Sequence, residues 1–266
     1  MGWVESLVRA SVPGETERLA TLDAAIRAPL PLSTRVGLLG ATADAPTSVV
    51  GGLLAGVLAA RRPHRVLAVG ATPTGSRTIA WHAGLASSAE ASDEQVTLRS
   101  TAVNGAEATA DLARTPGGVW ALDLAGDPAR WWGAVAPISR FFDFVVTDWG
   151  APVDPDDARA ASGVLVVVTG ATRTGLQAGV DLVAQLTTPS ATPLLVVHDN
   201  GSGAERGMPE SATANDAVWL PADRGLRAST PTPSSRLRYA TNRAVLQLAA
   251  RVVDAAAARN LSGVSR

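Results

Sequence analysis

The chain has 266 residues, a net charge of −1, no cysteine, and three histidines (His64, His82, His198) without ligand spacing. That composition leaves no disulfide or thiolate site, points away from a metal centre, and gives no general pull toward nucleic acid or anionic lipid. Hydrophobic residues make up 46% and aromatics only 4%, so one large domain with a core of Ala, Val and Leu is expected.

In chain order, Glu15 to Arg27 predicts a helix with Leu19, Leu22 and Ile26 on one face, stopped by Pro29 and Pro31. Val36 to Gly40 reads as a short apolar strand. A helix to about Arg62 follows, with Thr47 or Ser48 as its cap, and Arg65 to Val69 is the second strand. Ile79, Trp81 and Leu85 suggest a short helix, and Ser87 to Asp93 a loop. Gln95 to Ser100 alternates apolar and polar residues as an edge strand does. Gly105 to Arg114 predicts a helix, Val119 to Leu124 a strand, and Pro128 to Arg140 a helix carrying Trp131 and Trp132. Phe144 to Thr147 is a strand ending in Asp148, and Asp154 to Ala161 a helix opened by Pro155. Val164 to Val168 is the most continuously apolar strand, followed by a helix from Thr172 to Thr187 with Leu176, Val180, Val183 and Leu186 inward. Strands at Leu194 to Val197 and Ala217 to Leu220 flank a polar loop, Gly201 to Ala214. After a Pro/Ser/Thr loop (Ser229 to Ser235), a closing helix to Ala258 turns Ala244, Leu248 and Val252 to one face.

Strands separated by helices imply a mostly parallel sheet covered on both faces. The expected organisation is an N-terminal extension over 1–34, one α/β domain over 35–258, and a short tail over 259–266. No apolar run reaches the ~18 residues that suggest a membrane span. The N-terminus, with Glu5 and Glu15, shows no signal sequence, so a cytoplasmic location is expected.

The stretch Arg35 to Pro73 reads as strand, loop, helix, strand. In a parallel α/β protein the loop after such a first strand is the usual phosphate cradle, because it hands the ligand to a helix N-terminus. The order of several phrases resembles the MinD/ParA family of deviant Walker ATPases, and most closely the actinobacterial MinD-like proteins associated with type VII (ESX) secretion. RLATLDAAIRAPLPLSTRVGLL is similar to their arginine-rich helix, PLP turn and first strand. FFDFVVTDWGAP is similar to the Walker B strand. ASGVLVVVTGATRTGLQAGVDLV, TPLLVVHDNGSG and VWLPADRGLR resemble the later strands and the segments that follow them. The resemblance implies a three-layer P-loop NTPase-like α/β fold of the SIMIBI/MinD type.

Laid on the family loop K-G-G-x-G-K-T-T, the first lysine falls on Thr42 and the glycine pair on Ala43 and Asp44. The last glycine falls on Pro46, the P-loop lysine on Thr47, and the threonines on Ser48 and Val49. Glycines let successive N–H groups turn toward phosphate; Pro46 deletes one of those groups. Asp44 adds repulsion of roughly 4 kcal/mol per unit charge at ~4 Å and an effective dielectric near 20. All 23 basic residues are arginine, so no lysine can supply the missing charge. The family's second acidic motif, V-D-A-D/N-P, reads here VGATP, with Gly70 and Thr72 in place of the acids. Thr42, Asp44, Thr47, Ser48 and Asp148 therefore mark a vestigial nucleotide site, with no catalytic residue and no resident metal or cofactor.

The expectation is a catalytically inactive adaptor or regulator working through protein contacts, in type VII secretion or in cell-division or partitioning positioning. Its partner would be another protein, an active paralogue or a second copy, which could bring it to the membrane. The alternative is a divergent ATPase that binds ATP and magnesium, with Arg77 or Arg173 on the phosphates. Trp149, placed beside the vacated site, and Trp131 and Trp132 are the candidate partner contacts. Asp148 reads equally as a carboxylate held by local hydrogen bonds, Asp123 and Asp127 as loop and cap residues, and Asp199 to Gly201 as a turn. Arg224, Arg227, Arg236, Arg238 and Arg243 read as a solvated face, and the last helix lacks a membrane-binding amphipathic tail.

Overall fold

The computed structural model describes residues 14–31, 33–72, 77–86, 89–90, 92–151, 155–189, 191–201, 217–227, 231 and 236–264. Its framework is a nine-stranded sheet: β1 (Thr34–Gly40), β2 (Val66–Gly70), β3 (Ala89–Glu90), β4 (Ala113–Arg114), β5 (Val119–Asp123), β6 (Phe144–Gly150), β7 (Val164–Gly170), β8 (Leu194–His198) and β9 (Val218–Leu220). The spatial order is β3-β5-β2-β6-β1-β7-β8-β9. All of these neighbours are parallel, and β4 pairs antiparallel with β5. Parallel neighbours need crossovers, and the helices that supply them cover both faces.

Residue alternation along the strands sorts the core into two layers. Val36, Leu38, Val66, Ala68, Phe144, Val146 and Val166 face one layer, shared with helix α1 (Glu15–Arg27), helix α2 (Thr47–Arg61) and the closing helix α9 (Tyr239–Val264). Leu39, Leu67, Val69, Val145, Trp149 and Val167 face the other. That second layer is closed by α6 (Trp131–Ala134), α7 (Pro155–Ala161) and α8 (Arg173–Leu186). Helix α1 buries Leu19 and Ile26, and its Glu15 carboxylate accepts a 2.7 Å hydrogen bond from the Tyr239 hydroxyl of α9. The segment before the first strand is thereby tied to the last helix.

Several expectations change. Residues 95–100 are not a strand but the end of helix α4 (Asp93–Ser100). The window holds only two apolar residues, Val96 and Leu98, too few to tell a period of 2 from one of 3.6. The helix buries Arg99, three residues after Val96, and leaves Leu98 59% exposed. The helix expected over Gly105 to Arg114 stops at Thr109 as α5 (Gly105–Thr109). Asp111 then takes φ 65°, and Ala113–Arg114 turn back to pair with β5. Pro128 to Arg140 is broken into a 3-10 turn (Pro128–Arg130), α6 and a second 3-10 turn (Ser139–Phe141). Pro137 has no N–H to continue the ladder. Helix α8 turns Gly175, Gly179 and Leu186 to the sheet rather than Val180, which is 51% exposed. A short helix α3 (Ile79–His82) completes the set. All but Gly201 of the loop expected at 201–214, and most of the one at 229–235, lie outside the described residues.

Candidate functional site

Strand β1 delivers the chain to Gly40 at the C-terminal edge of the sheet, where residues 41–46 turn it into α2. Beside it, β6 runs past Thr147, where a boundary was expected, and carries Asp148 and Trp149 within the strand. Asp148 pairs with Leu38 of β1 and Gly70 of β2, and alternation turns its side chain toward α2. The Ser48 hydroxyl, in the first turn of α2, donates to Asp148 Oδ2, and the Gly150 N–H donates to Oδ1 at 3.1 Å. Asp148 is fully buried. Burial pushes its carboxyl above the usual carboxylate range, and the nearby Asp123 charge adds to the rise. The hydrogen bonds from Ser48, Thr47 and Gly150 oppose it without cancelling it.

The loop closes on itself. The Ala41 N–H donates to Val168 O at 2.9 Å, the Ala45 N–H to Thr42 O at 3.0 Å, and the Thr47 N–H to Ala45 O at 2.9 Å. Pro46 stands at the N-cap and has no N–H. Neither Thr47 nor Ser48 caps the helix: both lie within its first turn, and the N-cap makes no side-chain hydrogen bond. Space is short as well. A Cβ on Gly40 would lie 2.8 Å from Ala151 Cβ and 3.0 Å from Ala45 Cβ, so two methyl groups crowd the strand end. The exposed Asp44 carboxylate accepts from the Thr42 hydroxyl at 2.7 Å.

The structure therefore brings Ser48, Thr47 and Asp148 together, while Thr42 and Asp44 form a separate pair at the loop's tip. Asp123, expected only as a loop residue, does accept from the Ala125 N–H at 2.8 Å. It is also 3% exposed and near enough to Asp148 to affect its ionisation. Its place at the end of an apolar strand run, VWALD, was the available signal. Asp127 caps the Pro128–Arg130 turn through the Ala129 N–H, and Asp199 accepts from the Gly201 N–H at 2.7 Å in a turn, as read.

Two of the three tryptophan candidates are corrected. Trp149 does not cover the site: strand alternation sends it to the opposite face of the sheet, where it is 2% exposed. There it packs 6.2 Å, centroid to centroid, from Trp131, which is itself buried and donates from Nε1 to Thr147 Oγ1 at 3.1 Å. Trp132, edge-on to Trp131, is 48% exposed.

This geometry does not fit a magnesium–nucleotide complex. Within the loop the Ala45 and Thr47 N–H groups donate to backbone carbonyls, Pro46 has no N–H, and the Asp44 carboxylate adds a negative charge. Among the described residues no cluster of three or more His, Cys, Asp or Glu could hold a metal.

Solved structures supply the frame. The chain superposes on a ParA family ATPase from Chlorobium tepidum with a TM-score of 0.63 at 14% identity, covering 82% of this chain and 98% of that one. It superposes on the cell-division ATPase MinD of Pyrococcus furiosus with a TM-score of 0.60 at 18% identity (84% and 99% covered). The Pyrococcus horikoshii MinD, solved with Mg-ADP, gives 0.59 at 14% identity (88% and 98% covered). The fold is that of the MinD/ParA P-loop ATPases. At these identities the likeness shows the fold alone. No protein-family model matches the sequence, and no curated relative does. The MinD/ParA-like chain carries its Gly40–Thr47 loop between the first strand and the following helix, where the P-loop of that fold lies.

Proposed function

We propose that this protein is a nucleotide-independent member of the MinD/ParA fold: a scaffold that keeps the sheet and helices and works through protein contacts rather than ATP turnover. The observation that carries the reading is the loop between Gly40 and Thr47. Three of its N–H groups are satisfied by backbone carbonyls, and Pro46 lacks one altogether. Asp44 repels phosphate, and no lysine exists in the chain to offset the charge. Arg77 and Arg173, the candidates for a displaced phosphate clamp, are both exposed, and neither would remove Asp44 or Pro46.

Trp132, half exposed on α6, is the partner contact carried forward from the tryptophan set. The partner would be another protein, an active paralogue or a second copy. The sequence phrases shared with MinD-like proteins of type VII secretion favour that system as its setting. Thermal melting of the purified chain with ATP, ADP or GTP plus magnesium tests the reading. A ligand at 100 times its dissociation constant adds roughly 2.7 kcal/mol, so an unchanged melting temperature supports a nucleotide-independent scaffold. A saturable rise that Ser48→Ala abolishes overturns it.

A further inference from the structure

At the opposite edge of the sheet, the chain segments just before β1, β2, β5 and β6 converge around a recess of about 630 Å³. Arg65, Arg114 and Arg140 are among its lining residues, with the Arg65 guanidinium packed against Gly105 of α5. None of the three forms an ion pair among the described residues. Among the described residues the lining has a single carboxylate, Asp143, and it is already engaged by a fourth arginine, Arg62. Arg62 is held further by donating to Ile26 O and, at 2.9 Å, to Ala28 O. Among the described residues, three positive charges in the recess are thus left without an ion-pair partner.

Two of these charges are held in place. The Arg114 guanidinium lies 5.1 Å over the Trp120 ring, and that of Arg140 lies 4.7 Å over Phe141. Arg140 Nη2 also donates to Ala102 O at 3.0 Å. Ring stacking and a backbone carbonyl fix a guanidinium without neutralising it. A solvated arginine face is usually mixed with acids or left loose; here, fixed cations share one concave wall. The fork of each guanidinium suits a bidentate oxyanion. The volume lies within the ~300–1,000 Å³ of small-molecule pockets.

We propose that this recess is a binding site for a small phosphate-bearing anion with at least two negative charges, such as a diphosphate or an organic phosphate ester. Arg65, Arg114 and Arg140 bind its oxygens, and the Trp120 and Phe141 rings hold two of the three in position. The site is independent of the Ser48–Asp148 pair, which lies at the other edge of the sheet.

The test is a calorimetric titration of the full chain with sodium pyrophosphate, without magnesium. The expected result is saturable one-to-one binding that weakens as sodium chloride is raised. The double variant Arg65→Gln, Arg114→Gln should weaken it by roughly tenfold or more, consistent with the strength of charge-assisted hydrogen bonds. Ser48→Ala should leave it unchanged. Both arginines are exposed, so the double variant keeps the wild-type fold, checked by its melting curve. No saturable heat overturns the proposal, as does binding insensitive to the arginine changes or binding lost in Ser48→Ala. Duplex DNA held by the same arginines and not displaced by pyrophosphate also overturns it, because the ligand would then be a polymer on an open surface.

Discussion

The Ser48 hydroxyl donates a hydrogen bond to the Asp148 carboxylate across the junction of α2 and β6. A fully buried carboxylate is thereby satisfied by a helix hydroxyl and the Gly150 N–H. Ser48→Ala removes one of these donors from a buried acceptor and should cost about 1–3 kcal/mol in urea unfolding.

Asp148→Asn should behave in the opposite sense. Burial raises the folded-state carboxyl above its ordinary value of 3.8, so the folded protein resists ionising it. That cost to stability begins as pH rises past the unfolded value and is complete above the folded one. The asparagine variant should therefore be more stable than wild type by about 1–2 kcal/mol near pH 8. The advantage should shrink as the medium is acidified toward pH 4. A pH series of chemical denaturation curves for both proteins checks this.

His82 sets a second pH dependence. It is 7% exposed, and burial, helped by the charges of Arg77 and His198, pulls its imidazole from 6.5 down to about 4. The folded state thus holds it neutral. The stability tied to that neutral form is present above pH 6.5 and is lost as pH falls to about 4, because the unfolded chain takes up the proton first. The loss amounts to about 3 kcal/mol at most. His82→Gln should flatten the acid limb of the stability profile between pH 6.5 and 4.

Arg99 is buried at 3% exposure, and its Nε, Nη1 and Nη2 atoms have no hydrogen-bond partner among the described residues. Desolvation lowers the pKa of its guanidinium, and Asp111 only partly opposes this. A buried charge without hydrogen bonds is worse than a methylene chain of similar volume. Arg99→Met should stabilise the chain by about 1 kcal/mol or more, read as a rise in denaturation midpoint at constant m-value.

On the other face, Trp149 lies against Gly37: a Cβ there would meet Ser162 Oγ at 2.3 Å and Trp149 Nε1 at 2.9 Å. Gly37→Ala should cost about 1–3 kcal/mol by overpacking, and Trp149→Ala about 3–5 kcal/mol by leaving a cavity. Neither should change partner capture while the protein stays folded, whereas Trp132→Ala should weaken capture with little loss of stability.

Much of this architecture was legible in the sequence because burial writes itself into continuous apolar runs. Val164 to Val168 and Phe144 to Thr147 could only be inner strands, and Glu15 to Arg27 matched its helix at both ends. That Pro46 removes an N–H from the loop after β1 was legible too, since it follows from the residue's own covalent chemistry. Two things were not legible. Residues 95–100 gave a false period of 2 because a short helix with two apolar residues has no measurable repeat. Trp149 was misplaced because its side of the sheet depends on β6 continuing past Asp148, and one further strand residue reverses the direction of the side chain. The arginine recess could not be found along the chain at all: Arg65, Arg114 and Arg140 are brought together only by the starts of neighbouring strands.

The closed Gly40–Thr47 loop is proposed not to hold a nucleotide. Isothermal calorimetry of the full chain with magnesium and ATP, comparing wild type with the Ser48→Ala and Arg65→Gln, Arg114→Gln variants, tests it most directly. Any saturable heat should be insensitive to Ser48→Ala and disappear with the arginine pair. Micromolar binding that is lost in Ser48→Ala and kept in the arginine variant would contradict it.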